Sequence, residues 1–400
     1  MQISYCQIFS RTIVNYGVGT RTLLPQILKG LACRRVVLFA DKEAGSLGVI
    51  NQIKELFEKK QEVVKIVGVI EDIEKEATVE TVNRCAHFFK EHKGDTILAL
   101  GGAGVLDTAK AVKWMIHKGI SDISKVVTIT ERWPEADLIS IPHIAIPILS
   151  GTGAEITEVT MITNEKFEKA TSIYNPYINA DVAILDPELT LGVSPSVTAL
   201  TGFTTLVNAI EAFFSPRATP MSDAYAQQAI RLIANNLTKA VHEGNNVEAK
   251  GNLQLASYMA KSAFMPVISA FPMHNMALAF SRRFRVTQMQ ANAILLPNVL
   301  ESLTPFYLSK IKEFSKALGI MNPPKHDKEC LSQAVAVIRN LREEIALPKT
   351  LDVGFEGNLD NMDDFISMVH KEPLAVHYKI PGDVVAKIIY QIFNLPIKID

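Results

Sequence analysis

Short runs of aliphatic and β-branched residues alternate with amphipathic stretches through the first half of the chain, and this alternation constrains the fold most strongly. The runs are VVLFA from Val36, VVKIVGV from Val63, TILAL from Thr96, IAIPIL from Ile144 and VAIL from Val182. Strands separated by helical segments predict a parallel sheet with helices on both faces. We therefore expect an α/β domain with a Rossmann-like parallel sheet at the N-terminus.

One helix of this domain is defined by its periodicity. Val79, Val82, Ala86 and Phe89 recur at helical spacing between the second and third apolar runs. The helix is predicted to end near Lys93-Gly94, because a glycine readily adopts the left-handed conformation that closes many helices.

The second half of the chain has a different character. At 400 residues, with 48% hydrophobic and 21% charged residues, the chain is long enough for two domains. Beyond Asp186-Pro187 no convincing strand is found, which predicts an α/β domain over residues 1–189 and an all-helical domain over residues 190–400. The predicted helical segments are SDAYAQQAIRLIANNL, GNLQLASYMAKSAF, MQANAILLPNVLESL and ECLSQAVAVIRNLREEI.

The overall charge excludes some classes of partner. Lysine plus arginine (41) nearly balances aspartate plus glutamate (42), so no long-range field draws in nucleic acid or an anionic membrane. The four cysteines show no CxxC spacing, and the N-terminus lacks the apolar core of a signal peptide. No apolar run approaches the roughly 20 residues that span a bilayer. We expect a cytoplasmic protein.

A glycine-rich turn follows the strongest predicted strand. The segment TILALGGAGVLDTAKAV passes through Gly101, Gly102, Ala103 and Gly104 into a helix. Free backbone N–H groups at a helix N-terminus bind anions, and small residues let a phosphate approach closely. A tight turn that serves only packing gives the same pattern, so this motif needs support from elsewhere in the chain.

Two further segments provide that support. GFTTLVNAIEAFFS begins at Gly202, and FPMHNMALAFSRRFRVTQMQANAILLP begins at Phe271. They closely resemble the signature regions of the iron-containing alcohol dehydrogenases, in which one Asp and three His bind Fe or Zn beside a nicotinamide. The resemblance covers essentially the whole chain and implies the fold of that family, with its active site in the cleft between two domains and a homodimer or larger homo-oligomer.

The resemblance also implies a nicotinamide site. The family pattern GGGSxxDxAK is matched by Gly101, Gly102, Asp107 and Lys110, with Ala103 and Gly104 in place of the third Gly and the Ser. IPILSGTGAEIT is similar to the family's PTTxGTGSE and assigns Thr152 to the cofactor, and Lys169 matches the lysine near the nicotinamide ribose. Asp41 follows the first strand, where a carboxylate binds the adenosine ribose and repels a 2′-phosphate. NAD is therefore favoured over NADP.

The metal site of the family is altered in this chain. The four ligand positions correspond to Thr204, Asn208, His274 and Gln288, so only one carries a usual metal ligand. Neutral hydroxyl and amide oxygens bind Fe²⁺ or Zn²⁺ weakly. The histidine that the family places four residues after the third ligand is here Leu278. We expect weak or absent metal, with these polar side chains hydrogen-bonding one another or a substrate.

Two features have alternative interpretations. His274 is either a core histidine or the proton donor to a developing alkoxide in place of the metal. Arg282, Arg283 and Arg285 either clamp an anionic substrate in the cleft or form a solvated helix end.

The resemblance predicts an NAD-dependent alcohol dehydrogenase or aldehyde reductase that transfers hydride between a small alcohol and its carbonyl form. The maleylacetate reductases are similar in using this fold without a tightly bound metal. One alternative is a metal-free reductase of an anionic aldehyde or keto acid. Another is a catalytically impaired homologue that binds nucleotide or a partner protein. The elimination chemistry of dehydroquinate synthase is disfavoured, because that enzyme also depends on a metal.

Overall fold

The computed structural model describes residues 7–8, 10–58, 63–164, 169–351 and 362–393. The chain separates into two compact units, one over residues 8–193 and one that begins at Ser194. Each unit has its own hydrophobic core.

The first unit is built on a parallel sheet. Six strands lie in the order β1-β9-β6-β4-β2-β3, and every neighbouring pair is parallel. The central strand β4 is buried at every position, as expected for a sheet covered on both faces. The strands are β1 (Ile13–Tyr16), β2 (Arg35–Asp41), β3 (Lys65–Ile73), β4 (Thr96–Gly101), β5 (Ile129–Thr130), β6 (His143–Pro147), β7 (Val159–Asn164), β8 (Lys169–Tyr174) and β9 (Val182–Leu185). The helices of this unit are α1 (Leu24–Gly30), α2 (Lys42–Ser46), α3 (Val49–Glu55), α4 (Val79–Glu91) and α5 (Ala103–His117).

The predicted strands are confirmed, but a second sheet was not predicted. Strands β5, β8 and β7 form a three-stranded sheet in which β7 and β8 are antiparallel. Their sequences are short or carry a polar residue at every second or third position, so they do not stand out from loop segments.

The end of α4 is a correction to the sequence prediction. The helix ends in the predicted region, but the left-handed residue is Lys93, with φ of 49°, and not Gly94. Gly94 is needed for a different reason. A β-carbon there would lie 2.6 Å from Cγ2 of Val37 and 2.8 Å from Cε2 of Phe89, so the glycine lets the chain pass close to the core.

The second unit is helical throughout its described residues, and the four helical segments predicted from its sequence are confirmed. Helix α6 is almost completely buried by its neighbours and forms the centre of this unit. The helices are α6 (Pro195–Phe214), α7 (Pro220–His242), α8 (Val247–Phe264), α9 (Pro272–Phe284), α10 (Gln288–Ser302), α11 (Ile311–Ala317), α12 (Asp327–Glu344), α13 (Met362–Lys371) and α14 (Gly382–Ile392).

Helix α6 also corrects the expectation that no segment has the length and hydropathy of a membrane span. Its 20 residues have a mean hydropathy of 1.3 over the best window, and 89% of that window is buried inside the protein. Thr204, Asn208 and Glu211 lie on this helix and are themselves buried. The helix is therefore apolar because it is the core of its unit.

Candidate active site

The predicted cofactor residues gather at one edge of the parallel sheet. Strands β2, β4 and β6 are neighbours, so their carboxyl ends bring Asp41, Gly101 and the segment after Pro147 together. The N–H of Ile148 donates to the carbonyl of Gly101 over 3.3 Å and joins the two turns. Ligands of open α/β sheets bind at this edge.

Asp41 holds the glycine-rich turn in place. Its Oδ1 accepts from the N–H of Ala44 and caps α2, and its Oδ2 accepts from the N–H of Gly102, each over 2.8 Å. The sequence predicted a role for this carboxylate toward the cofactor ribose. Its contact with the turn was not predicted, because Asp41 and Gly102 are far apart in sequence.

The first turn of α5 has the features of an anion site. Its N-cap residue, Gly102, provides no capping side chain, so the following N–H groups have no side-chain cap. A β-carbon at Gly102 would lie 3.1 Å from Cδ1 of Leu149, so the glycine leaves a shallow cradle there. Gly104 has a separate packing role, since a β-carbon at that position would lie 2.2 Å from the carbonyl oxygen of Glu74.

Asp107, which is partly exposed, and the buried Lys110 form an ion pair on α5. The Lys110 ammonium lies 2.8 Å from Oδ1 of Asp107, and it donates to Oγ1 of Thr157 over 2.8 Å and to the carbonyl of Val159 over 2.7 Å. The link ties α5 to the start of β7. Thr152 lies in the turn before that segment and is partly exposed.

One predicted cofactor residue cannot be placed fully. Lys169 begins β8, and its side chain lies outside the described part of the structure.

A buried polar layer beneath α5 was missed by the sequence analysis. Lys113 is fully buried and lies 3.1 Å from Oδ2 of Asp181, and burial lowers the pKa of Lys113 to about 8 although Asp181 opposes the shift. Burial also lowers the pKa of His143 well below its ordinary value and raises the pKa of Glu158 to about 7. These residues lie within or beside apolar runs, where sequence gives no signal of their surroundings.

In the helical unit, two helices bring together neutral polar side chains. Thr204 and Asn208 lie four residues apart on α6 and are 9% and 3% exposed, so they share one buried face. Gln288 and Asn292 have the same spacing on α10. The Asn292 amide approaches Oγ1 of Thr204 at 3.5 Å and so joins α10 to α6 at this point. Asn292 lies in the ANAILLP segment, and its sequence alone gives no signal of this contact.

His274 lies in the first turn of α9 and is held by Glu211 of α6. Oε1 of Glu211 accepts from the N–H of Met273 over 2.6 Å, and Oε2 accepts from the N–H of His274 over 3.2 Å. Nδ1 of the His274 imidazole also contacts Oε2 of Glu211. The His274 side chain is 13% exposed and that of Glu211 is 1% exposed, so the carboxylate lies on the buried side of the ring.

The arginine run has a structural use. Arg282 forms an ion pair with Glu372, which is 4% exposed. Arg285 ends α9 in the left-handed conformation, with φ of 54°, and is exposed. The ion pair of Arg282 leaves less support for an arginine clamp on an anionic substrate.

Residues 11–187 match the family model of iron-containing alcohol dehydrogenases, and residues 198–367 match the model of the C-terminal part of the same family. The chain belongs to the iron-containing alcohol dehydrogenase family. It is therefore an oxidoreductase of the NAD(P)-dependent alcohol dehydrogenase class.

Several members and structural neighbours are similar over most of their length. Long-chain-alcohol dehydrogenase 1 of Geobacillus thermodenitrificans is 29% identical over 350 residues, which cover 87% of this chain and 86% of that protein. The alcohol dehydrogenase from Oenococcus oeni is 23% identical, with a TM-score of 0.87 over 97% of this chain and 100% of that chain. The sulfoacetaldehyde reductase from Bifidobacterium kashiwanohense, solved in complex with NAD+, is 22% identical, with a TM-score of 0.83 over 97% of this chain and 99% of that chain. The two structures confirm the predicted fold.

The residues that correspond, by resemblance to the iron-containing alcohol dehydrogenase family, to its four metal ligands are Thr204, Asn208, His274 and Gln288. Three of them differ from the usual ligands. At the four positions that correspond to the metal ligands, His274 is the one residue with an ionisable side chain. Among the described residues, no group of three or more His, Cys, Asp and Glu side chains is placed to hold a metal ion. Leu278 stands where the family has a histidine four residues after the third ligand. It lies one turn after His274 and is also partly exposed.

Proposed function

We propose that the protein reduces small aldehydes, or oxidises the matching alcohols, with NAD as cofactor and without a tightly bound Fe or Zn. The observation that carries the proposal is the donor set at the family's ligand positions, Thr204, Asn208, His274 and Gln288, within a chain that otherwise matches the family. This set offers three neutral oxygens and one imidazole. Such donors suit hydrogen bonding to a carbonyl better than coordination of a divalent ion.

A divalent metal does not fit these residues. Fe²⁺ and Zn²⁺ sites in proteins use carboxylate, imidazole or thiolate donors, and the family's aspartate position is occupied by Thr204. The carboxylate of the same helix, Glu211, is already engaged by the two N–H groups and the imidazole of the α9 turn. We therefore assign no step to a metal.

A nicotinamide dinucleotide does fit the first unit. The cradle at Gly102 and the uncapped first turn of α5 suit the pyrophosphate, with Gly101, Ala103 and Gly104 in the same turn. When bound, the nicotinamide supplies the hydride for the carbonyl carbon.

Other residues complete the proposed cofactor site. Asp41 places a carboxylate beside the glycine turn, which disfavours the 2′-phosphate of NADP. Asp107 acts indirectly by holding Lys110. Thr152 and Lys169 are included in the cofactor site because they match positions of the family's cofactor-binding motifs. The NAD+ complex of the sulfoacetaldehyde reductase supports the same cofactor for this fold.

The chain's own polar side chains orient and protonate the substrate. Thr204, Asn208 and Gln288 offer a hydroxyl and two amides, one of which donates a hydrogen bond to the carbonyl oxygen while the others hold the rest of the substrate. As the carbonyl carbon gains hydride, its oxygen takes a proton from His274, and the product is the alcohol. The imidazole then recovers its proton from solvent, to which the side chain is partly exposed. Oxidation follows the same path in reverse.

Binding and turnover test this proposal together. NADH is titrated by its fluorescence, and the holoprotein is then assayed with a panel of short aliphatic aldehydes in buffer that contains a chelator. We expect saturable NADH binding and aldehyde-dependent oxidation of NADH. Failure to bind NADH would contradict the proposal.

A second candidate is a catalytically impaired homologue that binds nucleotide, as a partner or sensor protein. The replacement of three ligand residues, together with Leu278 at the relay position, favours it. NADH binding without turnover of any aldehyde or alcohol would support this second function.

For the remaining properties we propose a cytoplasmic homodimer. The described cysteines Cys33, Cys85 and Cys330 are all free thiols, as in a reducing compartment. The dimer is proposed by family resemblance.

A further inference from the structure

We infer that Glu211 is a positioning residue that fixes the tautomer and orientation of His274 for proton transfer. The inference rests on the proposed function, because it concerns the same proton donor. Glu211 itself does not contact the substrate in this scheme; it acts through the imidazole.

The contacts around Glu211 define its role. The carboxylate comes from α6 and receives two backbone N–H groups and one ring nitrogen from the first turn of α9. An ionised carboxylate only accepts hydrogen bonds, so the ring nitrogen that faces it, Nδ1, carries a hydrogen. In a neutral imidazole Nε2 is then the nitrogen with the free lone pair.

Burial determines which nitrogen reaches the substrate. The Glu211 side chain is 1% exposed, whereas that of His274 is 13% exposed. The Nδ1 edge of the ring therefore faces the protein interior, and Nε2 is the nitrogen available for exchange with a substrate oxygen. The rings of Phe264 and Phe271 lie 4.8 Å and 5.9 Å from the imidazole and restrict its rotation.

Glu211 is not one of the four residues at the family's ligand positions, yet this arrangement gives it a role in catalysis. A carboxylate behind a catalytic imidazole selects one tautomer and stabilises the imidazolium that forms during proton transfer. In the reduction direction the imidazolium, with a hydrogen on each nitrogen, donates its Nε2 proton to the developing alkoxide and becomes the neutral ring. In the oxidation direction the neutral ring accepts the alcohol proton at Nε2. Its orientation therefore affects turnover directly.

Glu211 also has a structural role, because it caps the start of α9. The test must separate this role from an action through His274. Glu211→Gln is suitable, since glutamine keeps the shape and one acceptor oxygen for the α9 turn. It cannot accept from all three donors as the carboxylate does.

A double-mutant cycle makes the separation. We compare kcat/KM for the wild type, Glu211→Gln, His274→Asn and the double variant, with NADH affinity and thermal unfolding measured for each. We expect Glu211→Gln to lower kcat/KM by about 10- to 100-fold, mainly through kcat. In the His274→Asn background the same change should have an effect of less than about twofold, because the imidazole through which Glu211 acts is absent.

Glu372→Gln is the matched control, because Glu372 is a buried and paired carboxylate of the same unit. It should leave kcat/KM unchanged. Equal losses from Glu211→Gln in both backgrounds would show a purely structural role and overturn the inference. An unchanged rate in Glu211→Gln would also overturn it. An unchanged rate in His274→Asn would instead contradict the proposed function.

A spectroscopic measurement tests the same inference without turnover. Histidine is labelled with ¹⁵N, and the His274 signals are identified by their loss in His274→Asn. At alkaline pH we expect a protonated Nδ1 and an unprotonated Nε2 in the wild type, and a mixture of tautomers in Glu211→Gln. A wild-type ring with its hydrogen on Nε2 would overturn the inference even if the protein has no measurable activity.

Discussion

Asp41 and Gly102 are joined by a hydrogen bond in which the backbone N–H at the N-cap of α5 donates to Oδ2 of the carboxylate over 2.8 Å. The second oxygen of the same carboxylate caps α2. One side chain thus holds the glycine-rich turn in shape and places a carboxylate beside it.

Replacement of Asp41 by alanine should weaken NADH binding and reduce discrimination against NADPH. A hydrogen bond to a charged group contributes about 1.5–3 kcal/mol, which corresponds to a loss of at least about tenfold in NADH affinity. The ratio of the two dissociation constants, measured by fluorescence titration, should shift toward NADPH. Glu43→Ala removes a neighbouring carboxylate and serves as the control. Wild-type affinity for both cofactors in Asp41→Ala would contradict this role.

Gly104 should not tolerate the serine that the family pattern has at its position. A β-carbon there would lie 2.2 Å from the carbonyl oxygen of Glu74 and 2.6 Å from that of Lys75, so a backbone segment would have to shift. Gly104→Ser should therefore destabilise the protein by about 1–3 kcal/mol or more, measured by urea unfolding. Gly30→Ser is the control, since a β-carbon at Gly30 meets no atom within 4 Å. Equal stability of the two variants would show that residues 74–75 do not pack on α5.

His143 should make the stability of the protein sensitive to acid. Burial holds its folded-state pKa well below 6.5, and the charges of Lys113 and Lys110 lower it further. Below about pH 6.5 the unfolded chain binds a proton that the folded protein does not, so stability falls by up to about 1.4 kcal/mol per pH unit. His143→Leu removes this term. Urea unfolding at pH 8 and pH 5 should show that the free energy of unfolding falls less for His143→Leu than for the wild type as the pH falls. The same fall in both proteins would contradict this prediction.

Glu158 should have the opposite pH dependence. Burial raises its pKa from 4.5 to about 7, so from pH 4.5 upward the unfolded chain ionises while the folded protein does not. Stability is present below pH 4.5 and is lost as pH rises to about 7. Glu158→Gln removes the cost of the buried carboxylate and should stabilise the protein by about 1–3 kcal/mol at pH 8, with little effect at pH 4. A variant less stable than the wild type at pH 8 would show that the carboxylate has a compensating partner.

Much of the fold follows from sequence periodicity, and the exceptions have physical causes. The apolar runs at Val36, Thr96 and Val182 are fully buried strands, which makes them conspicuous. Strands β7 and β8 form a small sheet with polar positions, so periodicity does not distinguish them from loops. At Lys93 and Gly94, sequence located the end of the helix, but long-range packing against Val37 determined which residue is glycine.

The candidate positions of the site could be named from the sequence, but their contacts could not. Asp41 and the glycine turn were named from their places after predicted strands, and His274 from the resemblance to the family. The sequence did not show that Asp41 accepts a hydrogen bond from Gly102 or that Glu211 contacts His274. The residues of each pair are far apart in sequence and meet only in the folded protein. The partner of Thr204, Asn292, also required the packing of α6 on α10.

The metal content of active enzyme is the most direct test of our central claim, which is that proton transfer by His274 replaces metal chemistry at this site. Protein purified without chelator is analysed for Fe and Zn by mass spectrometry and assayed for NADH-dependent aldehyde reduction before and after dialysis against EDTA. We predict well under one equivalent of either metal and an unchanged rate after dialysis. One equivalent of Fe or Zn per chain, with activity lost on chelation and restored by the same ion, would contradict the claim.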